Sequence, residues 1–129
     1  PVLVFAQTTA LLDKAHEAEL RGDDDGTFTL PPRLRELLEG GPEALERPCC
    51  LLYSTDTVGG NSGSPVLDSD GDLVAINFDR ARGGLMNEFA WSQELSRSIG
   101  VDVRLMLWLV GTFDGASDLV AEMTTESKS

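Results

Sequence analysis

The chain has 129 residues, 41% hydrophobic and 25% charged, which is the composition of one folded, soluble domain able to bury most of its apolar surface. Ten basic against 22 acidic residues give a net charge of -12, a field that repels nucleic acid and anionic lipid wherever it is unscreened and argues against nucleic acid as a partner. No apolar run reaches the roughly 18 residues of a membrane span; the longest, residues 101–113, carries Asp102 and Arg104. Pro1-Val2-Leu3-Val4-Phe5-Ala6 has no basic lead, so it is not read as a cleavable signal, and without an initiator methionine the chain reads as a piece of a longer one.

In chain order, residues 8–18 have a helical or extended pattern, and 21–26 form a polar break in which Asp23-Asp24-Asp25 reads as a solvated loop, not a metal site. Thr27-Phe28-Thr29-Leu30 alternates like a short strand. Pro31-Pro32 then presets the first turn of a helix, residues 33–39 give its amphipathic body, and Gly40-Gly41 stops it. Residues 49–54 read as a strand, which sends the adjacent Cys49 and Cys50 to opposite faces as two reduced thiols, one of them buried. Residues 65–67 and 73–78 read as two strands joined by Asp68-Ser69-Asp70-Gly71-Asp72. That turn begins like a calcium loop but lacks its glutamate and flanking helices, so it is assigned as a plain hairpin turn. From 101 to 113, Val103, Met106, Leu107 and Val110 recur at helical spacing, and 117–123 adds a further helical turn or two.

Between the strands at 49–54 and 65–67 lies Gly59-Gly60-Asn61-Ser62-Gly63-Ser64-Pro65. A flexible linker would run on into polar sequence, whereas this stretch is clamped by two predicted strands. Gly-x-Ser-Gly-x-Pro followed by a hydrophobic hairpin resembles the nucleophile loop of chymotrypsin-fold serine peptidases, whose common form is Gly-Asp-Ser-Gly-Gly-Pro. Small residues let the backbone turn sharply enough to aim two N–H groups at one point, where the oxyanion of a tetrahedral intermediate forms. On this resemblance Ser62 Oγ is the nucleophile and the N–H groups of Gly60 and Ser62 are the oxyanion donors. Asn61 stands where aspartate is common, so no buried salt bridge to a freed N-terminus is expected.

The wider stretch "PCCLLYSTDTVGGNSGSPVLDSDGDLVAINFDR" resembles the bacterial dipeptidyl-peptidase 7 and dipeptidyl-peptidase 11 family. The likeness extends upstream through "TTALLDKA" and "GTFTLPPRLRELL", and downstream through "SRSIGVDVRLMLWLV" and "DLVAEM". It implies a mainly β fold: the C-terminal barrel part of a chymotrypsin-type antiparallel β-barrel, with short helices and a C-terminal helix. Residues 1–129 are then one part of a catalytic domain whose N-terminal barrel and helical cap lie outside this chain. That missing barrel supplies the family's catalytic histidine and aspartate. His16, the sole histidine, matches no catalytic position and reads as a solvated surface residue. A serine without a base stays protonated, so the chain alone is expected to be nearly inert.

The resemblance further implies that Asp79 holds the free amino terminus of the peptide and that Arg80 selects Asp or Glu before the cleaved bond. A guanidinium is always charged and forks onto a carboxylate through two hydrogen bonds, which gives the acidic preference a physical reason. The family usually places Trp-Glu shortly after this pair, whereas here Ala81-Arg82-Gly83-Gly84 follows. Arg82 is left with two readings, a competitor for the substrate carboxylate or a solvated side chain. Metal and organic cofactor are both unneeded for this chemistry. The partners implied are peptide substrates and the missing barrel, with a homodimer of the full-length chain and a periplasmic or secreted location as further expectations. The rival reading is a non-catalytic barrel module that binds peptide ends or a protein partner. A trypsin-like endopeptidase is disfavoured because Asp79 would obstruct an extended chain with no amino terminus to pair.

Overall fold

The computed structural model describes residues 3–22, 26–83 and 88–125, and they fall into two units: a sheet from Pro1–Gln7 with Pro48–Arg104, and a helical unit from Thr8–Arg47 with Leu105–Ser129. The predicted loop Asp23-Asp24-Asp25 and Gly84 lie outside the described residues. Among those residues no helix is long and apolar enough to cross a membrane.

The sheet has five strands, β1 (Leu3–Gln7), β2 (Pro48–Tyr53), β3 (Pro65–Leu67), β4 (Leu73–Arg80) and β5 (Ser98–Asp102). Every pairing is antiparallel and the order is β1-β2-β5-β4-β3, so the antiparallel β architecture with short helices is as expected. In β2, Cys49, Leu51 and Tyr53 point inward while Cys50 is half-buried, which matches the expected split of the two thiols. Leu51, Tyr53 and Ala75 form the core of this unit, with Val66 and Val74 packed against them.

β3 and β4 form the expected hairpin, and β4 runs two residues further than predicted, through Asp79 and Arg80. Its turn is closed by the Asp68 N–H donating to the Asp72 carbonyl at 3.0 Å. The Asp68 carboxylate also accepts from the N–H groups of Asp70 (2.9 Å) and Asp72 (3.0 Å), the self-capping that favours aspartate in turns.

β1 and β5 were not expected. In β5 the buried positions belong to Ser98, Gly100 and Asp102, while Ile99 and Val101 sit on the half-buried face, so the hydrophobic alternation that marks a strand is inverted. Gly100 lies opposite both Leu51 and Asn77. A Cβ there would come within 3.0 Å of Ala75 Cβ, the Ile76 carbonyl and the Tyr53 hydroxyl, so only glycine lets these three groups close in.

The helical unit contains α1 (Thr9–Arg21), α2 (Pro32–Glu39), α3 (Pro42–Leu45), α4 (Val103–Trp108) with a π-helical turn at Leu109–Phe113, and α5 (Ser117–Thr124). Leu12, Ala15 and Ala18 put one stripe of α1 inside, with Leu38 and Leu105 buried on α2 and α4. Buried Thr8 ties the start of α1 to the end of α3, its N–H reaching the Arg47 carbonyl at 2.9 Å and its hydroxyl the Ala44 carbonyl. The strand expected at Thr27-Phe28-Thr29-Leu30 does not form. Gly26 adopts φ +77°, Thr29 N–H folds back onto its carbonyl at 3.2 Å, and Pro31-Pro32 lack the N–H groups that would extend a ladder.

Candidate active site

Asn77, buried inside β4 at 4% exposure, pins the glycine-rich loop to the sheet. Its side-chain amide donates to the Asn61 carbonyl at 3.1 Å, its N–H to the Ser64 carbonyl at 2.9 Å, and its own carbonyl accepts from Gly63 N–H at 2.7 Å. The Tyr53 hydroxyl completes the set by donating to Asn77 Oδ1 at 2.5 Å. Burial pushes the Tyr53 phenol up to about 12, so it remains a neutral donor at physiological pH.

Within the loop the backbone donors are unevenly committed. Val58 N–H bonds Asn61 Oδ1, Gly59 N–H bonds Glu88, Asn61 N–H bonds the Val58 carbonyl and Ser64 N–H the Asn61 carbonyl. Among the described residues, no hydrogen bond takes the N–H of Gly60 or Ser62. These are the two donors the nucleophile-loop resemblance assigns to an oxyanion. Gly60 stands at φ +97° and Gly63 at φ +88°, conformations that favour glycine and produce the tight turn.

Ser62 is exposed, and its hydroxyl donates to the Phe78 carbonyl at 3.3 Å. It shares a cleft of about 150 Å3 with Thr57, Val58, Asn77, Asp79 and Arg80. Asp79 is exposed and accepts from the Arg80 N–H at 2.8 Å. The Arg80 side chain is 20% exposed. Its Nη1 donates to the Thr57 carbonyl at 3.4 Å and its Nη2 to Glu88 Oε1 at 2.6 Å. Ser98 braces the loop from β5, its hydroxyl reaching the Thr55 carbonyl at 3.1 Å and lying 2.6 Å from Thr57 Oγ1. Three predicted site residues, Ser62, Asp79 and Arg80, therefore line one cleft, and Gly60 lies two residues from Ser62 on the turn beside it. Arg82 is exposed.

Among the described residues, none of the other nucleophile or base candidates is in the lining of this cleft. His16 is exposed on α1, in the helical unit. The two thiols are free, with Sγ atoms 4.0 Å apart; burial pushes Cys49 up to about 12 and raises Cys50, so neither is a thiolate at neutral pH. Asp102 is fully buried, but its carboxylate is taken by Arg104, at 2.9 Å from Nε and 2.6 Å from Nη2, with the Arg104 N–H at 2.8 Å. Both residues belong to the sheet unit, and the pair fixes the end of β5.

Two contributors were missed in the sequence. Asn77 has a signal in retrospect, a polar residue at an inward position of the otherwise apolar Leu73-Val74-Ala75-Ile76-Asn77-Phe78. Glu88 has none, because its role rests on a contact with Arg80 that no local pattern marks. Asn77→Ala in the full-length protein is expected to leave the Tyr53 hydroxyl and the Asn61 carbonyl unpaired. The Gly63 amide should then exchange with solvent roughly 10- to 100-fold faster, equivalent to about 1–3 kcal/mol of local stability. Unchanged exchange at Gly63 would mean that Asn77 does not hold the loop.

With this geometry in place, the comparisons are specific. The peptidase S46 family pattern matches residues 6–125, and the chain belongs to that family. An Asp/Glu-specific dipeptidyl-peptidase of Capnocytophaga gingivalis is 38% identical over 128 residues, covering 95% of this chain and 17% of that protein. Dipeptidyl-peptidase 7 of Phocaeicola vulgatus is 37% identical over 103 residues, covering 75% of this chain and 14% of that protein. The crystal structure of Porphyromonas endodontalis DPP11 in complex with the dipeptide Arg-Asp superposes with a TM-score of 0.75 at 26% identity, covering 92% of this chain and 17% of that one. The chain thus spans a small part of the length of the relatives it matches.

Proposed function

We propose that this chain is the nucleophile-bearing C-terminal part of a serine dipeptidyl peptidase that releases dipeptides from peptide N-termini, with Asp or Glu preferred before the cleaved bond. The observation that carries this reading is that Ser62, Asp79 and Arg80 line one cleft beside a turn whose Gly60 and Ser62 N–H groups have no partner among the described residues. Membership of the peptidase S46 family and the names of the Asp/Glu-specific relatives support it.

In this reading Ser62 Oγ attacks the carbonyl carbon of the second residue as its proton passes to a histidine of the N-terminal barrel. The resulting oxyanion takes the Gly60 and Ser62 N–H groups. Collapse of the intermediate breaks the C–N bond, and the histidine returns the proton to the leaving amine. Water then cleaves the dipeptidyl ester. The sheet is the C-terminal barrel part of a chymotrypsin-type fold, and the chain by itself, lacking the base, is nearly inert. A periplasmic or secreted location and a homodimer of the full-length protein belong to the same proposal.

Asp79 limits the product to a dipeptide by pairing with the substrate ammonium, so the amino terminus itself is the test. In the full-length protein, N-terminal acetylation of a peptide with Asp at its second position is expected to slow cleavage about 10- to 100-fold, the scale of a lost charged hydrogen bond. Equal rates for the free and acetylated peptides would overturn the exopeptidase reading.

A further inference from the structure

Arg80 does not stand open in the cleft. Glu88 Oε1 receives two donors from different parts of the sheet unit: Arg80 Nη2 at 2.6 Å, from the end of β4, and the Gly59 N–H at 3.1 Å, from the nucleophile loop. A cationic side chain and a backbone N–H converging on one carboxylate oxygen make a built anion site, and here its occupant is a residue of the same chain. Thr57 holds the other arm of the guanidinium through its carbonyl at 3.4 Å. The Glu88 side chain is 45% exposed, so releasing it to water is inexpensive, whereas the Arg80 side chain, at 20% exposure, is poorly served by water alone.

We propose that Glu88 is a specificity-determining residue: its carboxylate is the resident occupant of the Arg80–Gly59 anion site, and an acidic substrate side chain binds by exchange with it. The inference rests on the proposed function, since it concerns the same pocket. Exchange swaps one carboxylate for another on the same donors, so the acidic substrate gains the difference between two ion pairs instead of one whole pair. A neutral side chain leaves Glu88 in place and meets a pocket whose arginine is already neutralised. Glu88 thereby narrows the gap between acidic and neutral substrates that Arg80 alone would open. The Arg80 hydrogen bond, with help from the Gly59 N–H, holds the Glu88 carboxyl below the usual carboxylate range, so the occupant is charged under working conditions.

The experiment compares full-length wild type, Glu88→Gln and Glu88→Ala on matched dipeptidyl amides ending in Asp and in Leu. Removing the resident charge is expected to lower KM for the Asp-ending substrate about 2- to 5-fold, the range of a partly exposed ion pair, and to raise KM for the Leu-ending substrate, which then meets an unpaired Arg80, so the ratio of the two KM values widens. A higher KM for the Asp-ending substrate would mean that Glu88 orients Arg80 for the substrate, and equal changes on both substrates would mean that it shapes the loop; either result overturns the exchange. If wild type has no acidic preference, the proposed function fails along with it. If wild type prefers Asp and both variants match it, the exchange alone is wrong.

Discussion

Ser62→Ala in the full-length protein is expected to lower kcat on the order of 10^6-fold while leaving KM nearly unchanged, the pattern of removing a nucleophile whose partners act as a unit with it. The substitution deletes one exposed hydroxyl whose single hydrogen bond among the described residues goes to the Phe78 carbonyl at 3.3 Å, so the loop keeps its anchors on Asn77 and the cleft keeps its shape. The proposed substrate contacts of Asp79 and Arg80 are untouched, and so are the Gly60 and Ser62 N–H groups, because alanine retains the backbone. What disappears is the covalent route. Steady-state kinetics on a dipeptidyl amide measure the effect, and turnover within tenfold of wild type would exclude Ser62.

Arg80→Gly should separate substrates by charge. For dipeptides ending in Asp or Glu, kcat/KM is expected to fall about 10-fold, below the roughly 1.5–3 kcal/mol of a whole charge-assisted hydrogen bond because the substrate carboxylate only replaces Glu88 on Arg80. Leu-ending substrates should change less than about threefold, since glycine leaves room for an apolar side chain but offers a carboxylate no partner. A folding defect lowers turnover of both substrates together, whereas loss of a specific contact lowers one. Matched kcat/KM values for the two substrates in both proteins decide between these, and equal losses would make Arg80 a structural residue.

Local chemistry made the hairpin and its loop legible in the sequence. Gly60 and Gly63 adopt positive φ, Asp68 closes its own turn, and Pro32 starts α2, all features written into single residue types. What escaped depends on partners distant in sequence. β5 buries Ser98, Gly100 and Asp102 because Ser98 braces the Thr55–Thr57 segment, Gly100 makes room for Tyr53 and Ala75, and Asp102 takes Arg104. Each polar or absent side chain is satisfied by a neighbour that the alternation pattern cannot reveal. The strand expected at Thr27-Phe28-Thr29-Leu30 failed for the opposite reason: its alternation is present, but two prolines follow and Gly26 turns the chain back. In the candidate site, motif and resemblance pointed to Ser62, Asp79 and Arg80, which line one cleft, while Asn77 and Glu88 act through contacts 16 and 8 residues away, to Asn61 and Arg80.

The central claim, that Ser62 is the nucleophile of a serine peptidase, is tested most directly by covalent capture. A fluorophosphonate reacts with a serine only where a base activates the hydroxyl and oxyanion donors stabilise the adduct. The full-length protein is treated with such a probe, digested and mapped by mass spectrometry. One phosphonyl group per chain is expected, on the peptide containing Gly59-Gly60-Asn61-Ser62-Gly63-Ser64, and none in Ser62→Ala. An active protein whose adduct lies on another residue, or that forms no adduct, would contradict it.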